Sequence, residues 1–138
     1  MYDRHSTAAM DPLIDEIRRR MDEYPRPKTE VNGQIVKIHS LRLRTFAIHG
    51  TVCSSCGLHA THFAVERTSK NTNHSSYHIN LYGINSDGRE VLFTHDHTLA
   101  RALGGKDSIE NTTTMCSPCN NKKSQWGHAL VRKQRQQR

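Results

Sequence analysis

The chain has 138 residues, 34% of them hydrophobic and 6% aromatic, which leaves room for one compact domain whose apolar core is thin enough to need a staple. Its formal charge of +7, from 20 Lys and Arg against 13 Asp and Glu, implies a polyanionic partner or, at its plainest, a solvated basic surface. No N-terminal apolar run resembles a signal peptide and nothing is long enough to cross a membrane, so a reducing, intracellular and non-secreted setting is expected.

Residues Met1 to Ala9 carry no periodic pattern and are expected to be disordered. A helix is predicted over 11–22, with Asp11 as its N-cap and Pro12 at the first helical position. Leu13, Ile14, Ile17 and Met21 share one face, Arg18 to Arg20 lie towards the end that favours cations, and Tyr24-Pro25-Arg26-Pro27 ends it. That face could pack on the domain, dimerise or touch nucleic acid; packing is favoured. Val31 to Ile38 reads as one short strand around Gly33. Ser40 to His49 reads as a second helix, capped by Ser40, with Leu43, Phe46 and Ala47 on one face and Gly50 as its stop. Arg42 and Arg44 would sit elsewhere on its surface, either meeting phosphate or forming a solvated face.

Thr61 to Arg67 alternates as a strand should, and Thr68 to Ser76 is polar and loop-like. Tyr77, Ile79 and Leu81 alternate before the turn Asn85-Ser86-Asp87-Gly88, and Val91 and Phe93 alternate after it, which predicts a hairpin. Its second strand delivers the chain into His95-Asp96-His97. Basic residues then gather at Lys122 and Lys123 and in a tail holding Arg132, Lys133, Arg135 and Arg138, which favours nucleic acid as the partner.

The four cysteines form two CxxC pairs, Cys53/Cys56 and Cys116/Cys119. In a reducing setting such pairs read as metal ligands, and four thiolates make a closed tetrahedral site of the structural zinc type. His59 and His62 could complete a separate site with the first pair, but that would leave Cys116 and Cys119 without partners. Redox chemistry is weaker still, since no thioredoxin-like pattern surrounds either pair.

Asp96-His97, Gly104-Gly105, Asn111, Cys116-x-x-Cys119, Asn120 and Lys123 lie in this order between Asp96 and Ser124. In that order they resemble the HNH endonucleases, a branch of the ββα-metal (His-Me finger) nucleases. The helix-CxxCG block before them also resembles zinc-carrying members, so the resemblance spans residues 40 to 126. It implies an α+β fold with a ββα-metal core, a structural four-cysteine zinc site and an N-terminal helical extension. The expected organisation is an arm and amphipathic helix at 1–29, a nuclease domain at 30–127 and a basic tail at 128–138. Ala100 stands where many relatives have Pro and Thr112 where they usually have Leu, and neither change removes a catalytic group.

Cleaving a phosphodiester needs an activated water, a cation to neutralise charge on phosphate, and groups that hold the backbone. His97 is the candidate general base, and Asp96 a hard carboxylate suited to Mg²⁺ or Mn²⁺. The resemblance makes Asn120 the second ligand of that ion and Asn111 a residue that bonds backbone across the loop. Lys123, three residues after Asn120, shares its helix face and can reach phosphate, with Lys122 beside it. His95 shares a strand face with His97, as a structural or auxiliary phosphate-binding histidine.

The function expected is metal-dependent cleavage of double-stranded DNA by a monomer or homodimer of the type encoded by phages or mobile elements, including homing enzymes. The alternatives are a zinc-stabilised DNA-binding module with little catalysis and a structure-selective, junction-resolving nuclease. A binding module would have no use for Asp96, His97 and Asn120 together.

Overall fold

The computed structural model describes residues 2–69 and 76–125; the basic tail, His74 and His128 lie outside them. In chain order the elements are β1 (Tyr2–Ala9), α1 (Met10–Arg19), β2 (Lys28–Val31), β3 (Gln34–Lys37), α2 (Leu41–His49), β4 (Ala60–Thr68), β5 (His78–Ile84), β6 (Glu90–His97) and β7 (Thr112–Cys116). Residues 117–125 form a last helix, α3. Five strands make one antiparallel sheet in the order β1-β4-β5-β6-β7, and β2 pairs with β3 alone.

The N-terminal arm, expected to be disordered, is an edge strand. β1 pairs with β4 from Tyr2 opposite Thr68 to Ala9 opposite His62. What holds it, besides the backbone ladder, is Arg4, which meets Glu66 at 2.9 Å and Glu90 at 2.8 Å. Such long-range ion pairs leave no local periodicity to read. Helix α1 starts two residues earlier than predicted: Ala9 is its N-cap, without a side-chain bond, and Asp11 lies inside the first turn. It also stops early, at Arg19 with Arg20 as C-cap, and Arg20 then holds Glu16 and Glu23. Leu13, Ile14 and Ile17 are buried against the rest of the core.

Val31 to Ile38 contains the turn and second strand of a hairpin rather than one strand. Asn32 (φ 50°) and Gly33 (φ 87°) form its two-residue turn, and both positive dihedrals are those that Asn-Gly adopts most readily. Across this hairpin Lys28 lies directly opposite Lys37, a like-charge pairing that costs about 0.5 kcal/mol. Helix α2 matches its expected bounds. The Ser40 hydroxyl accepts from Leu43 N–H at 3.2 Å, a cap whose loss would cost about 1 kcal/mol.

The core lies between the helices and one face of the sheet, with Ile17, Phe46, Phe63, Ile79, Leu81 and Phe93 all fully buried. Strand β5 is buried on both faces. Ile79 and Leu81 face the core, while Asn80 and Tyr82 donate to the Glu66 carboxylate on the other side at 2.8 and 2.6 Å. The alternation read in β5 therefore separates two buried environments, one apolar and one polar.

Candidate active site and metal centre

Strand β6 changes partner along its length. Leu92 still pairs with Tyr82 of β5, whereas Phe93 to His97 pair with Cys116 to Thr112 of β7. The last residues of β6 thus stand on a two-stranded ribbon whose second strand runs straight into α3. Successive strand residues face opposite sides, so His95 and His97 follow Phe93 to one face and Asp96 turns to the other. Helix α2 fixes the ribbon from behind. Thr45 and Thr112 share a buried hydroxyl hydrogen bond of 2.8 Å, Thr114 donates to the Gly50 carbonyl at 2.5 Å, and His49 Nε2 meets the Ile109 carbonyl at 2.7 Å.

Between β6 and β7 the chain makes a loop with two short 3-10 turns, Arg101–Leu103 and Ile109–Asn111. Its closure explains the Gly-Gly pair. Gly104 has φ 95°, and a Cβ on Gly105 would stand 1.7 Å from the Leu99 carbonyl oxygen, so no side chain fits there. Asn111 clasps the loop from inside: its Oδ1 accepts from Leu99 N–H at 2.9 Å, and its Nδ2 donates to the carbonyls of Leu99 and Lys106 at 3.0 and 2.7 Å. Its own carbonyl accepts from Thr98 N–H at 2.8 Å.

The loop also brings Asp107 to His97, with Oδ1 2.8 Å from Nε2. This bond to His97 is the main cause that draws the Asp107 pKa below its ordinary value, with the charge of Arg101 adding to it. His95 stands edge-on to His97 at 5.7 Å between ring centroids, and its buried Nδ1 has no hydrogen-bond partner among the described residues. Burial, then the charges of His97 and Arg42, lower the His95 pKa, which keeps it neutral near pH 7. His95, His97 and Asp107 offer donor atoms within 4.8 Å of one another. Asp107 is not among the residues that the sequence marks. Its only local signal is its place in the polar stretch between Gly105 and Asn111.

On the other face of β6, the Lys123 ammonium pairs with Asp96 and also donates to the His97 carbonyl at 3.0 Å. Asp96 is 15% exposed and Lys123 43%. Asn120, partly buried, precedes Lys123 by one helical turn and so shares the side of α3 that meets Asp96. Lys122 and Lys123 also line a cavity of about 450 Å³ with Ser55, Cys56, Met115 and Cys119.

Arg42 and Arg44 are not the solvent-facing pair expected. Arg42 is partly buried and donates to Asn80 Oδ1 at 2.9 Å and to the Ile79 carbonyl at 3.0 Å, while Arg44 donates to the His39 carbonyl at 3.0 Å. Burial lowers the Arg42 pKa. A helical wheel gives the angle of such a residue but not the opening beside β5 that draws it in.

The four cysteines, distant in sequence, converge where the 53–57 turn meets the start of α3. Ser54 N–H donates to the Thr114 carbonyl at 2.9 Å, which lays the turn against β7. The four Sγ atoms lie within 4.8 Å of one another, and Cys56 and Cys116 are 3.7 Å apart, close to the edge of about 3.8 Å that a tetrahedral zinc–thiolate site implies. All four thiols are free. Burial pushes the Cys53 thiol up, but the N–H groups of Cys56, Cys116 and Ser55 outweigh it and bring its pKa to about 6. Burial and the adjoining thiols push Cys116 well up, because one confined space cannot hold several unneutralised thiolates. A divalent cation would relieve that conflict, so the set is compatible with zinc. His62 is instead held by Glu90 at 2.6 Å, away from any cysteine site.

Among the described residues no helix is long and apolar enough to cross a membrane. Comparison with curated proteins and with solved structures gives no match. Residues 85–135 match the model of a family described as HNH endonuclease, a span holding Asp96, His97, Asn111, Asn120 and the second CxxC pair. That match supports an HNH endonuclease relationship for this span, and with it nuclease activity and a nucleic-acid substrate.

Proposed function

We propose that the protein is a metal-dependent DNA endonuclease whose ββα-metal core is formed by β6, β7 and α3. The observation that carries this reading is the division of two neighbours on β6: Asp96 turns to α3 and its cation, and His97 turns to the Asp107 carboxylate. One residue thus has a place to hold positive charge and the next has a partner that orients a base.

The residues suit a hard divalent ion. Asp96 already meets a cation, the Lys123 ammonium, and Asn120 on the same side of α3 offers a neutral carbonyl oxygen. Mg²⁺ or Mn²⁺ held by Asp96 and Asn120 would neutralise charge on the scissile phosphate and its leaving oxygen. Asp107 is an acceptor only, so His97 Nε2 carries the hydrogen and Nδ1 is left to take a proton from water. The water oxygen bonds to phosphorus, its proton goes to His97, and the bond from phosphorus to the 3′ oxygen breaks; that oxygen takes a proton from solvent water, leaving 5′-phosphate and 3′-hydroxyl ends. Lys123 gives up Asp96 and, with Lys122, turns to the phosphate backbone. Asn111 holds the loop that carries Asp107, and His95 packs against the His97 ring. Arg42, seated beneath, adds positive potential to that face. Cys53, Cys56, Cys116 and Cys119 hold a structural Zn²⁺ that fixes the start of α3.

Duplex DNA is the proposed substrate, with a branched junction as its variant. The association with phages, mobile elements and homing rests on the family resemblance and has no residue of the site behind it. Supercoiled plasmid incubated with protein and Mg²⁺ or Mn²⁺ tests the reading. Nicked or linear products whose ends a ligase can reseal are expected, and intact plasmid under both ions would overturn it.

The His95, His97 and Asp107 cluster favours a second reading, a borderline metal bound by two imidazoles and a carboxylate. It would take His97 out of its role as base. A metal series separates the two: the oxygen site works with Mg²⁺, whereas the imidazole site works with Ni²⁺, Co²⁺ or Zn²⁺ and not with Mg²⁺.

A further inference from the structure

The turn after α1 and the β2–β3 hairpin gather cations around a groove that no carboxylate lines, although the same segments also carry Asp22 and Glu30. Arg26, Lys28 and Lys37 are exposed, and with Pro27, His39 and Ser40 they line a groove of about 280 Å³. Among the described residues none of the three forms an ion pair; the nearby Glu16 and Glu23 are taken by Arg20. Lys28 and Lys37 stand opposite each other on paired strands, an arrangement a merely solvated hairpin has no reason to keep. Arg44 adds a fourth positive charge, close enough, with Arg26, to lower the His39 pKa alongside burial. Helix α2 links the elements of the groove to those of the proposed cleavage face. Ser40 caps that helix and lines the groove, and Arg42, two residues on, reaches β5 and is felt electrostatically at His95.

We propose that this groove is a second nucleic-acid contact, in which Arg26, Lys28 and Lys37 take the phosphate backbone of a duplex whose scissile bond lies at His97. Charge complementarity decides the occupant: repeated phosphates match the cations Arg26, Lys28 and Lys37, and none of the residues lining the groove is a carboxylate. The proposal rests on the nuclease reading for where the duplex continues, and on the hairpin alone for the contact itself.

The test compares two double variants of the full chain with equal loss of charge, K28Q/K37Q in the groove and R19Q/R89Q at exposed arginines elsewhere. Binding to a duplex of about 30 base pairs is measured in EDTA across a salt series. The groove variant is expected to bind about tenfold more weakly near 150 mM salt and to lose about two from the slope of log affinity against log salt, with R19Q/R89Q unchanged. Equal affinities and slopes in the two variants would overturn the proposal. Circular dichroism guards against misfolding, and K28Q/K37Q, which removes a repulsion, is expected to melt no lower than the parent chain. Cleavage with Mg²⁺ is followed separately: a raised KM at unchanged kcat fits the proposal. An inactive parent chain that still binds through the groove would remove the nuclease reading and leave the contact standing.

Discussion

Lys123 holds the place of a cation. Its ammonium sits on the carboxylate proposed to bind metal, so a divalent ion must displace it before the site works. Removing that competitor should help the metal and hurt the phosphate. For K123M the Mg²⁺ concentration giving half-maximal cleavage is expected to fall several-fold while kcat falls about tenfold. Unchanged Mg²⁺ dependence would mean that Asp96 and the ion do not share a position with Lys123. At this scale Asp96, His97 and Lys123 were marked by residue type together with the family resemblance, and the folded chain brings Lys123 to Asp96. Asp107 was not, since its relation to His97 exists only once the loop folds back, and a carboxylate in a polar loop looks like any other. Arg42 escaped for a similar reason: nothing local announces the acceptors Asn80 and Ile79 that receive it.

The elements fall into those governed by local rules and those governed by distant partners. Helix α2 was legible to the residue because Ser40 and Gly50 punctuate it and Leu43, Phe46 and Ala47 fill one face. The β5–β6 hairpin was legible from alternation around Asn85 to Gly88. Strand β1 was not, because an edge strand pinned by Arg4 to Glu66 and Glu90 has no pattern of its own. The β2–β3 hairpin had its signal in Asn32-Gly33, and taking the apolar run as one strand overlooked it. The loop between β6 and β7 is the element on which the site depends most, and Gly105 is its tightest point. In G105A the new methyl would meet the Leu99 carbonyl, so the loop must open and release Asp107 and Asn111. Cleavage is expected to fall at least about a hundredfold while melting temperature changes by only a few degrees, as befits a change confined to a surface loop. A large loss of stability with cleavage retained would show that the loop braces the fold rather than the base.

The molecule as a whole is held by a small apolar core, a polar network and the cysteine cluster. In the network Glu66 is 3% exposed and accepts from Arg4, Asn80 and Tyr82. Burial alone would raise its pKa, but the Tyr82, Asn80 and Arg4 bonds outweigh burial and hold it below the ordinary 4.5. A depressed carboxylate contributes stability that is present above its unfolded pKa and lost as pH falls through the folded value. The stability gap between the parent chain and E66Q is therefore expected to be about 2–3 kcal/mol at pH 7 and to close on acidification below about pH 4. A gap that does not vary with pH would deny that ionised Glu66 is the stabilising form. The cysteine cluster joins the 53–57 turn to the start of α3, so it ties the early chain to Asn120 and Lys123. A strong chelator is expected to lower the melting temperature by about ten degrees or more and to abolish cleavage even with Mg²⁺ in excess, as loss of a structural zinc would. Full stability and activity in the chelator would remove zinc from the account.

The proposed role of His97 is to activate water for phosphodiester cleavage. It is tested most directly by single-turnover cleavage of duplex DNA under saturating Mg²⁺ by the parent chain and H97A, with DNA binding measured in parallel. The rate for H97A is expected to be lower by about a hundredfold or more at unchanged DNA affinity. Equal rates for the two proteins, or no cleavage by the parent chain, would contradict that role.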